Sequence, residues 1–419
     1  MAATGWHAER PALATTAEGQ ASAPERFDLT SIFGDLSSKD KRLRDDAAVR
    51  LYRFVAKTSK RLDASELEVF MQQLLQEIAR LLNTKTKHEQ LGGIEAIDQI
   101  IRIPHSGVTT AVNCNQFGTY LRNVLPPTCN DLEVIKVAAE VLGRLATRGT
   151  GAMTPKFITM HSDRALEWLE HTSTRSEAKR YAAALVLHEL CKAQPTHFYP
   201  YIPKVMRHIF VAVHDIKLSV RVAASHTLRT CLKLWRDRAL YPSIYARIEE
   251  GLSVKREESI HGSLLAAAAF VDLTGQYMQQ THYFDSVRPC LDPCLSCCCR
   301  HFSHLLIFGM VDFRQVCDAA LQFATHKSML IQREILALIP KIANASPEGF
   351  VSYSSRTKTT GAFASSAIDF IMRCMQRDRD RGDGLVAFGK LASALGPLLQ
   401  SQILQVRQVL VEIRLVLTK

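Results

Sequence analysis

From residue 28 onward, apolar residues recur at steps of three and four with polar residues between them. In SELEVFMQQLLQEIARLL, Leu67, Phe70, Met71, Leu74, Leu75, Ile78, Leu81 and Leu82 fall on one side of a 3.6-residue helix. Ser65 stands three residues before Glu68, which predicts a capping box at the start of that helix. VIKVAAEVLGRLA repeats the rhythm through Val134, Val137, Ala138, Val141, Leu142 and Leu145. No stretch alternates with period two between hairpin turns. The chain is read as all-α.

The helices also resemble one another. A pair of small residues recurs inside an apolar helix at Ala47–Ala48, Gly92–Gly93, Ala138–Ala139, Ala182–Ala183, Ala223–Ala224 and Gly262–Ser263, with first members 45, 46, 44, 41 and 39 residues apart. Several pairs closely follow a basic residue: Arg44, Lys136, Arg180 and Arg221. Small side chains let a neighbouring helix approach. A mid-helix glycine costs about 1 kcal/mol against alanine, so Gly92–Gly93 implies a close crossing. A two-helix unit of this length has the HEAT or armadillo period, and SVRVAASHTLRTCL at 219–232 resembles the second helix of a HEAT repeat. Each unit alone leaves an apolar face bare, so stacked units share one core, and the expected fold is an α-solenoid superhelix of HEAT-type repeats.

The spacing breaks once. About 70 residues separate Gly262 from the next comparable helix, QREILALIPKIA at 332–343. The expected organisation is therefore a disordered Ala/Thr-rich tail at 1–27, HEAT repeats at 28–280, a Cys-rich insertion at 281–309, and further HEAT-like repeats at 310–419. The insertion contains DPCLSCCCRHFSH, residues 292–304, in which Cys294, Cys297, His301 and His304 have the look of a zinc set. A zinc finger separates its Cys and His pairs by about 12 residues, whereas three lie between Cys297 and His301. On one helix, Cys294 and His304 stand about 15 Å apart, while zinc ligands must converge to about 2.3 Å from one ion. No metal site is expected here, and the purified chain should carry no stoichiometric zinc by metal analysis. One zinc per chain, lost together with thiol protection in Cys294→Ser, would contradict this.

Composition narrows the picture further. The 52 Lys+Arg against 41 Asp+Glu leave +11, but the basic residues are spread along the chain and interleaved with acids. Clusters such as Lys39–Lys41–Arg42–Arg44 read as solvated helix faces. A nucleic-acid binder concentrates its charge on one stripe, so nucleic acid is not the expected partner. The eleven cysteines are odd in number and mostly scattered, which fits a reducing compartment, with Cys191, Cys231 and Cys317 as small core residues. The longest apolar run, Leu264 to Val271, is far short of a membrane span, and the first 26 residues lack the apolar core of a signal peptide.

Catalytic motifs fail one by one. GLVAFGKL at 384–391 matches the GxxxxGK part of a phosphate loop but has Leu391 where the metal-binding hydroxyl belongs. HELCK at His188 to Lys192 lacks the second histidine of a zincin helix. Neither GxSxG nor the HRD and DFG kinase motifs occur. No catalytic, cofactor-binding or metal residue is assigned, and no cofactor is expected. Trp168 and Trp235 sit in helical patterns and read as core or groove residues rather than base-stacking platforms.

Specific stretches carry a family resemblance. KHEQLGGIEAIDQII (87–101), YLRNVLPP (120–127), AAEVLGRLA (138–146), DRALEWL (163–169), HIFVAVHD (208–215) and IHGSLLA (260–266) resemble the amino-terminal HEAT region of the target of rapamycin (TOR) Ser/Thr kinases, in order and approximate spacing. FRQVCDAAL at 313–321 continues it more weakly, and SCCCR falls where the family has a short Cys-Cys-Arg segment. The resemblance implies the helical arm of a kinase that senses nutrients and controls growth. It further implies raptor- and rictor-type protein partners, a second TOR protomer, and a cytoplasmic location with endomembrane or nuclear recruitment. The sequence stops at Lys419, short of the FRB segment, kinase domain and FATC tail. A fragment, a truncated gene product or a naturally short form is expected, with binding surface rather than kinase chemistry in these residues. The competing reading is a free-standing HEAT adaptor of the transport-factor or phosphatase-scaffold type.

Overall fold

The computed structural model describes residues 29–104, 107–126, 128–148, 153–170, 176–235, 240–274, 317–318, 321–352 and 363–396. Among them there is no strand, and the helices pair off along the chain. Helix α1 (Thr30–Leu36) packs on α2 (Lys41–Thr58), α3 (Ala64–Leu82) on α4 (Lys87–Ile100), and α5 (Ala111–Val124) on α6 (Leu132–Arg148). Next, α7 (Met153–Glu170) packs on α8 (Glu177–Ala193). The short α9 (Pro195–Phe198) leads into α10 (Ile202–Val213), which packs on α11 (Leu218–Leu234). Helix α12 (Tyr241–Ser253) meets α13 (257–274) through Tyr241 and Tyr245 against Phe270. Beyond them lie α14 (Met329–Ala345), α15 (Pro347–Ser352), α16 (Phe363–Gln376) and α17 (Arg381–Leu395), the last two again paired.

The second helix of each unit also packs on the second helix of the next, so that α2, α4, α6, α8 and α11 form one layer. Although Gly262 and Gln332 are about 70 positions apart, α13 and α14 lie side by side: Lys341 Nζ pairs with Asp272 Oδ2 at 2.9 Å. Helix α14 then packs on α17. One hydrophobic cluster runs without interruption from Leu29 to Leu395. Phe70, Leu74 and Ile78 are fully buried, and burying a side chain of that size contributes about 1.5–3 kcal/mol. This is the solenoid expected from the repeat period.

The small-residue pairs all lie inward, and the two glycine-led ones show why. A Cβ on Gly92 would sit 2.0 Å from the carbonyl oxygen of Leu36, the last residue of α1. A Cβ on Gly262 would sit 1.8 Å from that of Val213, the last residue of α10. In both places the second helix of one unit crosses the end of the first helix of the preceding unit. The same crossing thus recurs at two distant repeats.

Two local expectations are corrected. The capping box of α3 is formed by Asp63 and Glu66 rather than Ser65 and Glu68. Asp63 accepts from the backbone N–H groups of Ser65 and Glu66, each at 2.9 Å, and Glu66 accepts from the Asp63 N–H. The carboxylate two residues upstream makes two bonds at once and sets the helix start earlier. Arg44, placed with its neighbours on a solvated face, is buried, while Lys39, Lys41 and Arg42 are exposed. Its guanidinium reaches back over the α1–α2 turn to the carbonyls of Ser38 and Lys39, at 3.1 and 3.3 Å. GLVAFGKL lies within α17, with Gly384 buried against Met375. Cys191, Cys231 and Cys317 are buried, and Trp168 is nearly so. Residues 292–304, with Cys294, Cys297, His301 and His304, lie outside the described residues, as do the tail at 1–27 and the limits 281–309.

Candidate interaction surface

A polar device recurs at the start of the second helices. A long side chain donates to the carbonyl six residues earlier, at or just before the turn that leads into its helix. Arg44 bonds Ser38 O at 3.1 Å, Gln90 bonds Thr84 O at 2.9 Å, and Arg221 bonds Asp215 O at 2.8 Å. Gln332 bonds His326 O at 2.6 Å, and Arg381 bonds Met375 O at 3.3 Å. A carbonyl in a tight inter-helix turn has no helical partner, and left buried and unpaired it costs about 1–3 kcal/mol. The sequence signals this only in part. It marks the basic residues before the pairs but not the two glutamines, which do the same work without charge.

The same side chains bind one unit to the next. Arg44 Nε lies 3.4 Å from Glu95 of α4, and Gln90 Oε1 faces the Cys129 thiol at 3.6 Å. Asp98 stands between Arg102, just past the end of its own helix, and Arg144 of α6, the latter at 2.6 Å. Asp215 pairs with Arg180 of α8 and caps the start of α11 through Lys217 N–H at 2.8 Å. Arg221 Nε donates to His261 Nδ1 of α13 at 3.1 Å, and His261 Nε2 faces Glu334 of α14 at 3.8 Å. Arg377 closes the series on Gln332 Oε1 at 2.8 Å. These ties fix the register of neighbouring units, so that any surface spread over several units is presented as one rigid face.

His261 makes this ladder sensitive to acid. Burial first, and then the Arg221 guanidinium, lower its pKa to about 4. Burial and two arginines lower His161 to about 3. The unfolded chain takes up a proton on each near pH 6.5 while the folded chain does not, so stability is full above that value and falls as the pH drops towards the folded pKa values. Protonated His261 also cannot accept from Arg221. Between about pH 7.5 and 5.5 the loss from His261 should be about 1 kcal/mol after allowance for solvent screening. Thermal unfolding at the two pH values should show a smaller difference for His261→Asn, which keeps an acceptor without a titration. An unchanged difference would count against the assignment.

The layer of first helices offers a different kind of surface. Pro155, Thr159 and Asp163 of α7 face Thr196, His197, Tyr201 and Lys204 across a cleft of about 490 Å³. On the other side of α7, Gly118 of α5 lets the Phe157 ring come within 2.6 Å of where a Cβ would stand. One turn further along, Arg122 Nη1 donates to the Met160 sulfur at 3.4 Å. Arg164 Nη2 reaches Pro126 O at 3.5 Å, with its guanidinium 5.1 Å from the centre of the Trp168 ring. At the edge where first helices turn into second ones, Ile216, Leu218 and Val254 are exposed on neighbouring units. Among the described residues no three His, Cys, Asp or Glu side chains gather where they could hold a metal ion, and no helix is long and apolar enough to cross a membrane.

Stacked two-helix units, a continuous core and a register-setting ladder define an α-solenoid of the HEAT type. The fold is similar to Kap121p in its crystal structures bound to RanGTP and to Pho4p. The TM-scores are 0.54 and 0.50, with 12% identity in both, over 93% and 88% of this chain and 38% of each Kap121p chain. No protein-family model matches the chain. Its sequence relatives are TOR kinases. The serine/threonine-protein kinase TOR of Oryza sativa subsp. japonica is 30% identical over 360 residues, covering 84% of this chain and 13% of the relative. The Arabidopsis thaliana TOR kinase is 28% identical over 384 residues, covering 90% and 14%. The tor1 kinase of Schizosaccharomyces pombe is 26% identical over 388 residues, covering 90% and 15%. The resemblance to the TOR kinases read from the sequence is thereby shown, for a chain that spans about 15% of the length of the relatives it matches.

Proposed function

We propose that this chain is a HEAT scaffold arm of a TOR-like Ser/Thr protein kinase, and that it supplies protein-binding surface for assembly of a TOR complex in nutrient and growth signalling. Similarity to TOR kinases across 84–90% of the chain carries the reading. The stretches that resemble the family, such as KHEQLGGIEAIDQII and AAEVLGRLA, lie in α4 and α6, where buried Gly92, Gly93, Ala138 and Ala139 set the stacking. The proposed partners are raptor- and rictor-type subunits and a second TOR protomer, met in the cytoplasm with recruitment to endomembranes or the nucleus. Phosphoryl transfer is assigned to the parent kinases and binding to these residues. A free-standing adaptor is the weaker reading, because likeness to Kap121p at 12% identity concerns the fold alone.

The test is to express the tagged full chain in cells and probe what it retains with antibodies against raptor- and rictor-type subunits. Retention of either, reduced when repeat stacking is broken by substitution at Gly92, supports the scaffold. Retention of a transport GTPase or phosphatase subunit with neither TOR subunit would move the chain to the adaptor class.

A further inference from the structure

We infer that Arg122 of α5 and Arg164 of α7 form a binding site for a phosphomonoester, carried as phosphoserine or phosphothreonine on an extended segment of a partner protein.

The two guanidiniums both reach across between the α5 and α7 segments. Among the described residues neither has a carboxylate within ion-pair distance: Arg122 donates to a thioether sulfur and Arg164 to a backbone carbonyl. Both act on the same buried imidazole, since His161 is held neutral by burial and by the fields of Arg122 and Arg164 together. Arg164 itself is lowered by burial and then by Arg122, although Glu167 offsets this in part. Two like charges kept together at half-buried positions are unfavourable unless an anion joins them. The placement is built rather than accidental. Gly118 leaves room on α5 for the Phe157 ring of α7, and the Arg164 guanidinium lies over the Trp168 ring, which limits its motion. Each guanidinium presents paired N–H donors that match the oxygens of a phosphate, and charge-assisted bonds of that kind are the strong ones.

The surroundings favour a peptide over a lipid headgroup. Asp163, Glu167 and Glu170 of α7 are exposed, and they would repel a uniformly anionic bilayer but not a peptide that carries basic side chains beside its phosphate. Across α7 from the arginines lies the cleft lined by Thr159, Asp163, His197 and Tyr201, of about 490 Å³, large enough for one or two residues of an extended chain. A segment crossing α7 thus places its phosphate on Arg122 and Arg164 and a neighbouring basic side chain on Asp163. The site does not depend on the TOR reading, since it is made wholly from the packing of α5 and α7.

The full chain is to be passed over an immobilised degenerate phosphoserine/phosphothreonine peptide library and over its unphosphorylated counterpart. The phosphorylated library should retain it and the other should not, with inorganic phosphate competing. Each of Arg122→Gln and Arg164→Gln should weaken retention about tenfold, through loss of charge-assisted bonds. Arg122→Lys, which keeps the charge but not the paired donors, should lie between parent and Arg122→Gln. Unfolding curves show whether each variant is folded, and Arg122, bonded only to a sulfur, can be replaced without loss of fold. Equal retention on both libraries, or parent-like retention by a folded Arg122→Gln, would overturn the proposal. So would binding to phosphatidylinositol-phosphate vesicles in place of the peptides.

Discussion

Gly92→Ala is expected to destabilise the amino-terminal units by about 3 kcal/mol, although alanine is the better helix former. The added Cβ would stand 2.0 Å from Leu36 O and 2.9 Å from its carbonyl carbon, which are backbone atoms that cannot rotate away. Helix α4 must then retreat from the end of α1 and give up part of the contact made by buried Leu91 and Ile94. The control is Gly389→Ala in α17, where a Cβ meets nothing within 4 Å. That change should stabilise by about 0.5–1 kcal/mol through helix propensity alone. Thermal unfolding of the two variants should therefore move in opposite directions. If both rise, the crossing at Gly92 is looser than described. Gly93→Leu should also destabilise, by about 1–3 kcal/mol through overpacking, since a Cβ alone would already meet the Leu82 side chain at 2.7 Å and Leu81 Cβ at 3.2 Å.

Arg221→Met should cost about 3–5 kcal/mol, the range for breaking a buried charged network from one side. The stem is kept but the donors are lost. Asp215 O and Ile216 O, bonded at 2.8 and 2.9 Å, and His261 Nδ1 at 3.1 Å are all left without partners. Units on both sides of α11 are affected, so chemical denaturation should begin at the middle of the solenoid. Hydrogen exchange in α10 to α13 should report it first, since stability in stacked repeats is a sum of unit and interface contributions. Arg42→Met, at an exposed position of the same residue type, should change stability by less than about 0.5 kcal/mol. A loss at Arg221 no larger than at Arg42 would mean that the turn carbonyls are satisfied in some other way.

The contrast between Arg42 and Arg44 shows how far a sequence can be read. Both sit in one basic run, and composition places both in water. Only the turn geometry separates them, because Arg44 points back over α1–α2 to carbonyls whose positions the α1–α2 packing sets. The glutamines at 90 and 332 were invisible for a related reason. A neutral amide has no signature until the carbonyl six residues earlier is seen to lack a partner. The arginine pair at 122 and 164 comes from two helices with α6 between them, and no local pattern joins them.

The sequence by itself determined the helical class, the repeat length, the inward small-residue pairs and the kinship with TOR kinases. The first three are written in spacing between nearby residues, since a 3.6-residue period or a glycine pair in mid-helix has few other physical meanings, and the kinship rests on the resemblance of whole stretches such as YLRNVLPP. Tertiary structure decided which glycine of a pair bears the crossing, which cations are buried, and how α13 meets α14 across 70 residues of chain. It also decided that Arg122 and Arg164 donate to a thioether and a backbone carbonyl. Those properties depend on distances between side chains from different units, and helix packing fixes such distances only once the whole stack has formed.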